Sequence, residues 1–489
     1  MSIRKHTAYN LLGALLPLAL SLFTIPLYIS LIGEARYGVL AVAWLLLGYF
    51  GLFDLGLGRA TAQRIAAIGD SSAKLSASTF WTALAMNVSL GIVGGLIIWP
   101  AATYFFANFF SVNASLRPEL AAAIPWLVLA VPLATLSGVL SGTLEGRQKF
   151  LELNIISVVS SMLIQLLPLA VVWLHGPDLA WILPAVIVSR LITLAWLFFR
   201  CRIHIFRGQA LTFSRAQAKG LLQFGGWITV TSLVGPMMVI LDRFVIGATL
   251  GAKAVTYYTV PFQLAERSIM LPSALASALF PRLAAAGTVE AQTLAATAIR
   301  SLAVVMTPPI LIGVLLIEPF LKWWLNPDFA LNAGLTAQIL LLGFWINAFA
   351  RVPFSQLQAS GQPDIVAKCH LAELIPYLGL LYLGLHFWGL PGVAVAFGLR
   401  ALADCLLLLW FAGTLRASIE ALTTPSLLLS FGLLIAAGLI TGSLVWWLAG
   451  TGLLLVSLSW SWRSAPSEIK RLLNDLMNAL TNKKRERFP

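Results

Sequence analysis

Long, continuous runs of apolar residues are the feature of this sequence that most limits its fold. One run extends from Thr7 to Ile32 without a charged residue. A helix that crosses a bilayer needs about 20 apolar residues. Only 10% of this chain is charged, whereas roughly 25% of the residues of a soluble domain are charged. The strands of an outer-membrane barrel alternate apolar and polar residues, so the runs predict membrane-spanning helices.

We predict an all-α integral membrane protein with about 14 transmembrane helices. A break at Gly450–Gly452 splits the last apolar stretch and leaves its second half short, so thirteen helices is the alternative. The predicted helices cover residues 8–32, 36–58, 76–106, 120–142, 153–174, 178–200, 220–246, 254–280, 293–317, 333–358, 368–387, 390–415, 424–447 and 450–463.

The positions of the basic residues predict the orientation of the chain. Cytoplasmic loops of membrane proteins carry an excess of Lys and Arg. In this arrangement 23 of the 32 Lys and Arg residues lie on the side of the N-terminus, 4 lie opposite and 5 lie within helices. We therefore expect both termini in the cytoplasm, which favours an even number of helices. Because these loops account for the net charge of +13, we predict no nucleic-acid partner.

A weak internal repeat predicts two halves. Gly33 follows the first predicted helix and Gly251 the seventh, and the same offset relates Arg64 to Arg282. Transporters built from parallel repeats bind substrate between the repeats. The tail predicts either a helix on the inner leaflet or a packed cap. The predicted parts are an N-terminal six-helix bundle at 1–200, a cytoplasmic basic linker at 201–219, a C-terminal six-helix bundle at 220–416, an extra helix pair at 424–463 and a cytoplasmic basic amphipathic tail at 464–489.

Arginines at membrane depth indicate an anionic cargo. An ionised side chain at the bilayer centre costs at least about 2.5–3.5 kcal/mol, so such residues usually face a cavity or a partner. The guanidinium group binds phosphate through two parallel hydrogen bonds and stays charged. The predicted anion-binding residues are Arg59, Arg190, Arg243, Arg267, Arg351 and Arg400.

Carboxylates at the same depth have two interpretations. In a polar lumen they bind H⁺ or Na⁺ and couple an ion gradient to transport, and Glu266 and Glu373 are the candidates for coupling. The alternative is mutual neutralisation of charge, for example between Arg400 and the residue four positions later, or between Arg59 and the end of the second helix. Neighbours in sequence point about 100° apart on a helix, so we expect Asp242 and Arg243 to need separate partners, and likewise Glu266 and Arg267. The predicted acidic residues are Asp54, Asp242, Glu266, Glu373 and Asp404.

The residues do not favour an enzyme. There is no Gly-rich phosphate loop with a lysine. The five histidines and three cysteines lack the spacing of metal ligands. We predict no catalytic residue, no metal site and no cofactor other than a coupling ion, H⁺ or Na⁺.

Several short motifs occur in a specific order. The first half carries Asn10-x-x-Gly13, Pro26-Leu-Tyr28, Leu31-Ile-Gly33 and Phe53-Asp54-Leu-Gly56-Leu-Gly58-Arg59. The second half carries Asp242-Arg243-Phe-Val-Ile-Gly247, Tyr257-Tyr258-Thr-Val-Pro261, Leu279-Phe280-Pro281, Ser360-Gly361-Gln-Pro363, Glu373-Leu-Ile-Pro376-Tyr377 and Arg400-x-x-x-Asp404. Over residues 8–415 the chain resembles the polysaccharide-transporter branch of the multidrug/oligosaccharidyl-lipid/polysaccharide exporter superfamily.

The resemblance implies a flippase in the bacterial cytoplasmic membrane. Its cargo would be an undecaprenyl-diphosphate-linked oligosaccharide repeat unit, moved to the periplasmic leaflet for O-antigen, capsule or exopolysaccharide assembly. The fold would be two six-helix bundles around a central cavity that opens to each side in turn. A polysaccharide polymerase and chain-length machinery are the expected protein partners. The arginines would hold the diphosphate, and the expected sugar contacts are Asn87, Asn154, Gln165, Gln263, Asn347 and Gln356.

Two alternatives remain at this point. A multidrug exporter of the same superfamily, which exchanges cations for protons or sodium, usually resembles a pattern with an acidic residue in the first helix. No charge lies between His6 and Glu34, which argues against that alternative, and a lipid II flippase would typically carry basic residues there. The second alternative is a non-transporting membrane scaffold of a polysaccharide assembly complex.

Overall fold

The computed structural model describes residues 3–49, 54–69, 71–110, 112–205, 211–467 and 470–471. For residues 3–15, 18, 224–237 and 239–240 it describes only the backbone. All regular secondary structure in these ranges is helical. Most of the predicted tail at 464–489, part of the linker at 201–219 and Phe53 of the first-half motifs lie outside the described residues.

The chain forms two compact units, Met1–Thr256 and Tyr257–Pro489. We describe each unit by itself, and the domain boundaries predicted from the sequence stay a prediction. The helices of the first unit are α1 (Ile3–Tyr49), α2 (Leu57–Ile68), α3 (Ala73–Asn108), α4 (Arg117–Gly146), α5 (Phe150–His175), α6 (Leu179–His204) and α7 (Arg215–Thr249). The next helix, α8 (Ala252–Glu266), begins in the first unit and ends in the second.

Helix α1 is a hairpin of two arms. The backbone turns at Gly33, whose φ of 78° is open to glycine because it lacks a Cβ. The rings of Tyr28 and Trp44 lie 5.4 Å apart, although a straight helix would separate these residues by about 24 Å. The arms correspond to the first two predicted helices. Gly251, which the repeat aligns with Gly33, also has a positive φ, of 87°.

The second predicted helix, 36–58, is wrong at its end. The described part of α1 stops at Tyr49, and Leu57 already begins α2. Gly56 has a φ of 70°, which breaks the helical path. Helix α2 is amphipathic, with Leu57, Ile65 and Ile68 buried on one face. It crosses α4 at a close approach of two backbones, where a Cβ at Gly142 would lie 2.1 Å from the carbonyl oxygen of Gly58.

The second unit continues with seven helical elements. A single 3-10 turn at Arg267–Ile269 interrupts the predicted helix 254–280. After this turn come α9 (Met270–Ala285), α10 (Thr288–Trp324), α11 (Pro327–Ala359), α12 (Pro363–Phe411), α13 (Leu415–Gly438) and α14 (Leu444–Ser464).

Helix α12 is the second hairpin. Gly389, with a φ of 61°, divides it where the sequence predicts the gap between two helices. The two arms pack backbone against backbone near this turn, since a Cβ at Gly392 would lie 1.9 Å from the carbonyl oxygen of Gly384. Close packing of small residues is the usual way in which membrane helices approach.

The break between the last two helices is not at Gly450–Gly452. It lies at 439–443, where Gly442 has a φ of 84° and Ser443 caps α14 by accepting a hydrogen bond from the backbone N–H of Trp446 (3.2 Å). Gly450 is helical and packs against Leu315. The local backbone therefore places this turn ten residues earlier than the apolar pattern did.

The described helices account for the predicted number of spans. Eleven segments of the described residues are long and apolar enough to cross a membrane. Two of these segments are the hairpins α1 and α12, which raises the number of apolar helical arms to thirteen, and α7, with 35 residues, is a further long helix. The protein is therefore an all-α, multi-pass membrane protein.

Candidate functional site

The α12 hairpin brings buried charges of opposite sign together. Glu373 and His370 lie on its first arm, and Arg400 and Asp404 lie on its second arm. The Arg400 Nη1 atom is 3.9 Å from Oε2 of Glu373, and the His370 Nε2 atom is 3.4 Å from Oδ1 of Asp404. Both carboxylates are buried. The sequence left two interpretations for Arg400 and Asp404, a polar lumen or a pair with each other. The structure adds a third, because each residue faces a partner on the other arm.

Two further charges join this group from neighbouring helices. Arg351 on α11 interacts electrostatically with Asp404, with Arg400 and with Glu266 at the end of α8. Its Nε atom is buried and has no hydrogen-bond partner among the described residues. We call Glu266, Arg351, His370, Glu373, Arg400 and Asp404 the charge cluster. Five of its six members are residues that the sequence predicts as site residues.

Aromatic rings line the charge cluster. The Arg400 guanidinium carbon lies 5.7 Å from the ring centre of Tyr377 and 5.5 Å from that of Phe397, and aromatic faces attract a cation at this range. The ring of Phe354 stacks on His370. His370 and Tyr377 are not among the site residues predicted from the sequence, where the histidines were considered only as metal ligands. Their positions three residues before and four after Glu373 place them on its face of the helix, which was the available signal.

The buried carboxyl groups of Glu373 and Asp404 lie on facing arms of α12 and interact electrostatically. Neither oxygen of Glu373 has a hydrogen-bond donor among the described residues. Two ionised carboxylates that lie near each other repel, and protonation of one of them removes the repulsion. The guanidinium groups of Arg351 and Arg400 supply positive charge beside the two acids.

The N-terminal unit contributes a separate buried guanidinium group. Arg190 lies midway along α6, and its Nε atom is buried without a hydrogen-bond partner among the described residues. Charged groups in such surroundings are usually paired, so Arg190 offers donors for an anion that the described chain does not itself provide.

The expectation that Asp242 and Arg243 need separate partners is wrong. Both side chains are buried, and the Arg243 Nη1 atom donates to Oδ1 and Oδ2 of Asp242 at 2.7 and 2.9 Å. The 100° separation applies to the Cα–Cβ bonds, whereas the long arginine side chain curls back to its neighbour. This pair is therefore charge-compensated within α7.

The other predicted charged residues occupy different surroundings. Asp54 accepts hydrogen bonds from the backbone N–H groups of Gly56 (2.7 Å) and Gly58 (3.2 Å) and so holds the start of α2. Arg59 is exposed on α2, and Arg267 is exposed on the 3-10 turn beside Glu266. None of these observations tests a role in binding, and their assignment stays a prediction.

Three of the predicted sugar contacts make hydrogen bonds within the fold. Asn87 donates to the carbonyl oxygen of Ala83 (3.2 Å), Gln165 accepts from Thr24 (3.0 Å), and Gln356 donates to the carbonyl oxygen of Ala412 (3.0 Å). The remaining three are half-buried, namely Asn154, Gln263 and Asn347.

Among the described residues, no group of three or more His, Cys, Asp or Glu side chains is placed to hold a metal ion.

Comparison with known proteins places this fold in a family. Residues 30–330 match the family described as "Polysaccharide biosynthesis protein". A protein of Shigella flexneri described as "Putative O-antigen transporter" is 30% identical over 411 residues, which are 84% of this chain and 97% of that protein.

Solved structures share the fold at low identity. An inward-facing multidrug resistance MATE family transporter of the MOP superfamily has a TM-score of 0.68 and 16% identity, and the alignment covers 85% of this chain and 98% of that one. The lipid II flippase MurJ in an inward closed conformation has a TM-score of 0.68 and 15% identity, with 94% and 98% covered. From the family match over more than half of its length and the relative at 30% identity, this chain belongs to the family described as polysaccharide biosynthesis protein.

Proposed function

We propose that this protein is a flippase, not an enzyme. It moves undecaprenyl-diphosphate-linked oligosaccharide repeat units from the cytoplasmic to the periplasmic leaflet of the bacterial cytoplasmic membrane, for O-antigen, capsule or exopolysaccharide assembly. The description of the Shigella flexneri relative and the flippase among the similar structures support this class of cargo. The observation that carries the proposal is the charge cluster, because Arg351, Glu373, Arg400 and Asp404 are buried or half-buried, and charges at membrane depth are costly unless they serve a function.

The diphosphate is the part of the cargo that the arginines recognise. Arg190 and Arg351 each present a buried Nε atom without a hydrogen-bond partner in the described chain. A diphosphate supplies acceptors for such donors, and a charge-assisted hydrogen bond to a guanidinium group is about twice as strong as a neutral one. Gln263 and Asn347, which are half-buried in the second unit, are the amide groups that we assign to the sugars.

The Glu373–Asp404 pair is the proposed coupling element, and H⁺ is the proposed ion. Deprotonated, the pair neutralises Arg351 and Arg400 and competes with the diphosphate for them. Protonation removes negative charge beside these arginines, so proton binding and diphosphate binding favour each other. By linkage the same factor must act in both directions. We therefore expect the affinity for a polyprenyl diphosphate to fall as the pH rises through the titration of Glu373.

The test is flipping of a fluorescent short-chain polyprenyl-diphosphate oligosaccharide in proteoliposomes. The variants are Arg351→Gln and Arg190→Gln, with Arg416→Gln as control, because Arg416 is 96% exposed and lies outside the charge cluster. Loss of either guanidinium group is expected to slow flipping by at least about tenfold, the factor that corresponds to 1.4 kcal/mol. In Glu373→Gln, the binding of the polyprenyl diphosphate should lose most of its pH dependence. Arg416→Gln should keep that dependence.

Three results would contradict the proposal. Expulsion of hydrophobic cations without movement of lipid-linked sugar would identify a multidrug exporter. Equal flipping by the wild type and both arginine variants would remove the role of the guanidinium groups. The third result is that the protein transports neither cargo, while polysaccharide assembly in cells is lost only when the tail is altered. That result would favour the non-transporting scaffold.

A further inference from the structure

A cavity of about 400 Å³ opens at one end of the C-terminal unit, among α10, α13 and α14. Its wall is polar on several sides. Thr297 and Arg300 line it from α10, Glu420 and Thr424 from α13, and Trp460 from α14. None of these residues belongs to the charge cluster, and the proposed flippase function makes no use of them.

The cavity offers one positive and one negative group. The Arg300 guanidinium has neither an ion pair nor a hydrogen bond with any described residue. Glu420 is 3.5 Å from Arg416 on its own helix, with the two side chains 71% and 96% exposed. An ion pair this exposed contributes little free energy. Glu420 therefore remains available to a second cation. A ligand that matches this wall carries one anionic and one cationic group.

The surroundings of the cavity favour a membrane lipid. Helices α13 and α14 are apolar and mostly exposed along their spans, with Leu427, Phe431 and Leu455 among their outward side chains. Lipid acyl chains therefore cover the helices that frame the cavity. Trp460 lies at the end of its helix, the level at which tryptophan is enriched at membrane–water interfaces. Polar pockets between membrane helices at this level bind lipid headgroups.

We propose that this cavity binds the zwitterionic headgroup of an aminophospholipid, phosphatidylethanolamine. Arg300 holds the phosphate, with the hydroxyl groups of Thr297 and Thr424 beside it, and Glu420 accepts hydrogen bonds from the ammonium group. Phosphatidylglycerol satisfies Arg300 but brings a net negative charge to Glu420. Phosphatidylcholine carries a quaternary nitrogen that has no hydrogen to donate, so it loses the contact with Glu420.

The experiment is a titration of the purified full-length protein with short-chain phosphatidylethanolamine, phosphatidylglycerol or phosphatidylcholine, followed by native mass spectrometry. The wild type should prefer phosphatidylethanolamine to both other lipids. Arg300→Gln should weaken the binding of all three by about tenfold. Glu420→Gln should abolish the preference over phosphatidylglycerol. Arg282→Gln removes an exposed arginine of α9 outside the cavity and is the matched control, with unchanged binding.

The outcomes separate this site from the transport site. Circular dichroism establishes that each variant is folded before the titration. Unchanged lipid affinity in Arg300→Gln would overturn the site itself. A wild-type preference for phosphatidylglycerol, or equal binding of all three lipids, would overturn recognition of a zwitterion. Because the readout is lipid binding, failure of the flipping assay leaves this test unaffected.

Discussion

A methyl group placed where the two arms of α12 touch is expected to disturb both packing and the charge cluster. In Gly392→Ala the new Cβ would lie 1.9 Å from the carbonyl oxygen of Gly384, whereas ordinary contact begins at 3.4 Å. Two backbones meet here, so no flexible side chain can move aside. The arms must separate by about 1.5 Å, because interiors packed this closely have no spare volume.

The hairpin amplifies this separation at the site. Gly389 is the pivot, and with a rise of 1.5 Å per residue the glycine contact lies about 6 Å from it, while Glu373 and Asp404 lie about 23 Å away. If the arms stay rigid, a 1.5 Å opening at the glycines becomes about 5–6 Å at the carboxylates. That movement would break the 3.4 Å contact between His370 and Asp404.

The assay combines thermal unfolding in detergent with the flipping measurement. Overpacking of this kind typically costs about 1–3 kcal/mol, and flipping should fall with it. Gly379→Ala is the matched control on the same helix, because a Cβ there meets nothing within 4 Å. This variant should gain up to about 1 kcal/mol from the higher helix propensity of alanine. Equal stability and equal flipping of the two variants would refute the contact between the arms.

Three further predictions concern the rest of the chain. Asp54→Ala should lower the free energy of unfolding by about 0.5–2 kcal/mol, as loss of a helix cap does. Asp54→Asn should retain most of the stability, and an equal loss for both variants in chemical denaturation would contradict the capping role. Arg36→Ala should destabilise more than Arg416→Ala, because Arg36 donates to both oxygens of the largely buried Glu119, at 2.8 and 2.6 Å, and an exposed pair is worth at most about 1 kcal/mol. The three cysteines are buried, so a maleimide should label them far more slowly in the native than in the denatured protein, and rapid native labelling would show that their helices pack otherwise.

Apolar periodicity predicted most helices but only some of their turns. The predicted break at 388–389 coincides with Gly389, because a glycine there interrupts a long apolar run. The end of the second helix and the break at Gly450–Gly452 are wrong, since a glycine in the sequence does not reveal its φ angle. Gly450 serves packing against Leu315, and Gly442 makes the turn.

Residue type alone selected most of the charge cluster but not its pairs. Burying an ionised group in a membrane is costly enough that Arg351, Glu373 and Asp404 stand out from the sequence. The sequence did not reveal which charges face each other, because Glu373 and Asp404 come near each other only when α12 folds into a hairpin. The same limit hid His370, whose role depends on a residue 34 positions later.

The sequence by itself determined that this chain is a multi-pass helical membrane protein with charges at membrane depth. Both facts follow from local free energies of transfer, which depend on residue type and order. Only the tertiary structure decided that Arg400 faces Glu373, that His370 faces Asp404, and that Arg351 interacts with the charges of α12. Those outcomes depend on contacts between residues distant in sequence, whose geometry no local pattern contains.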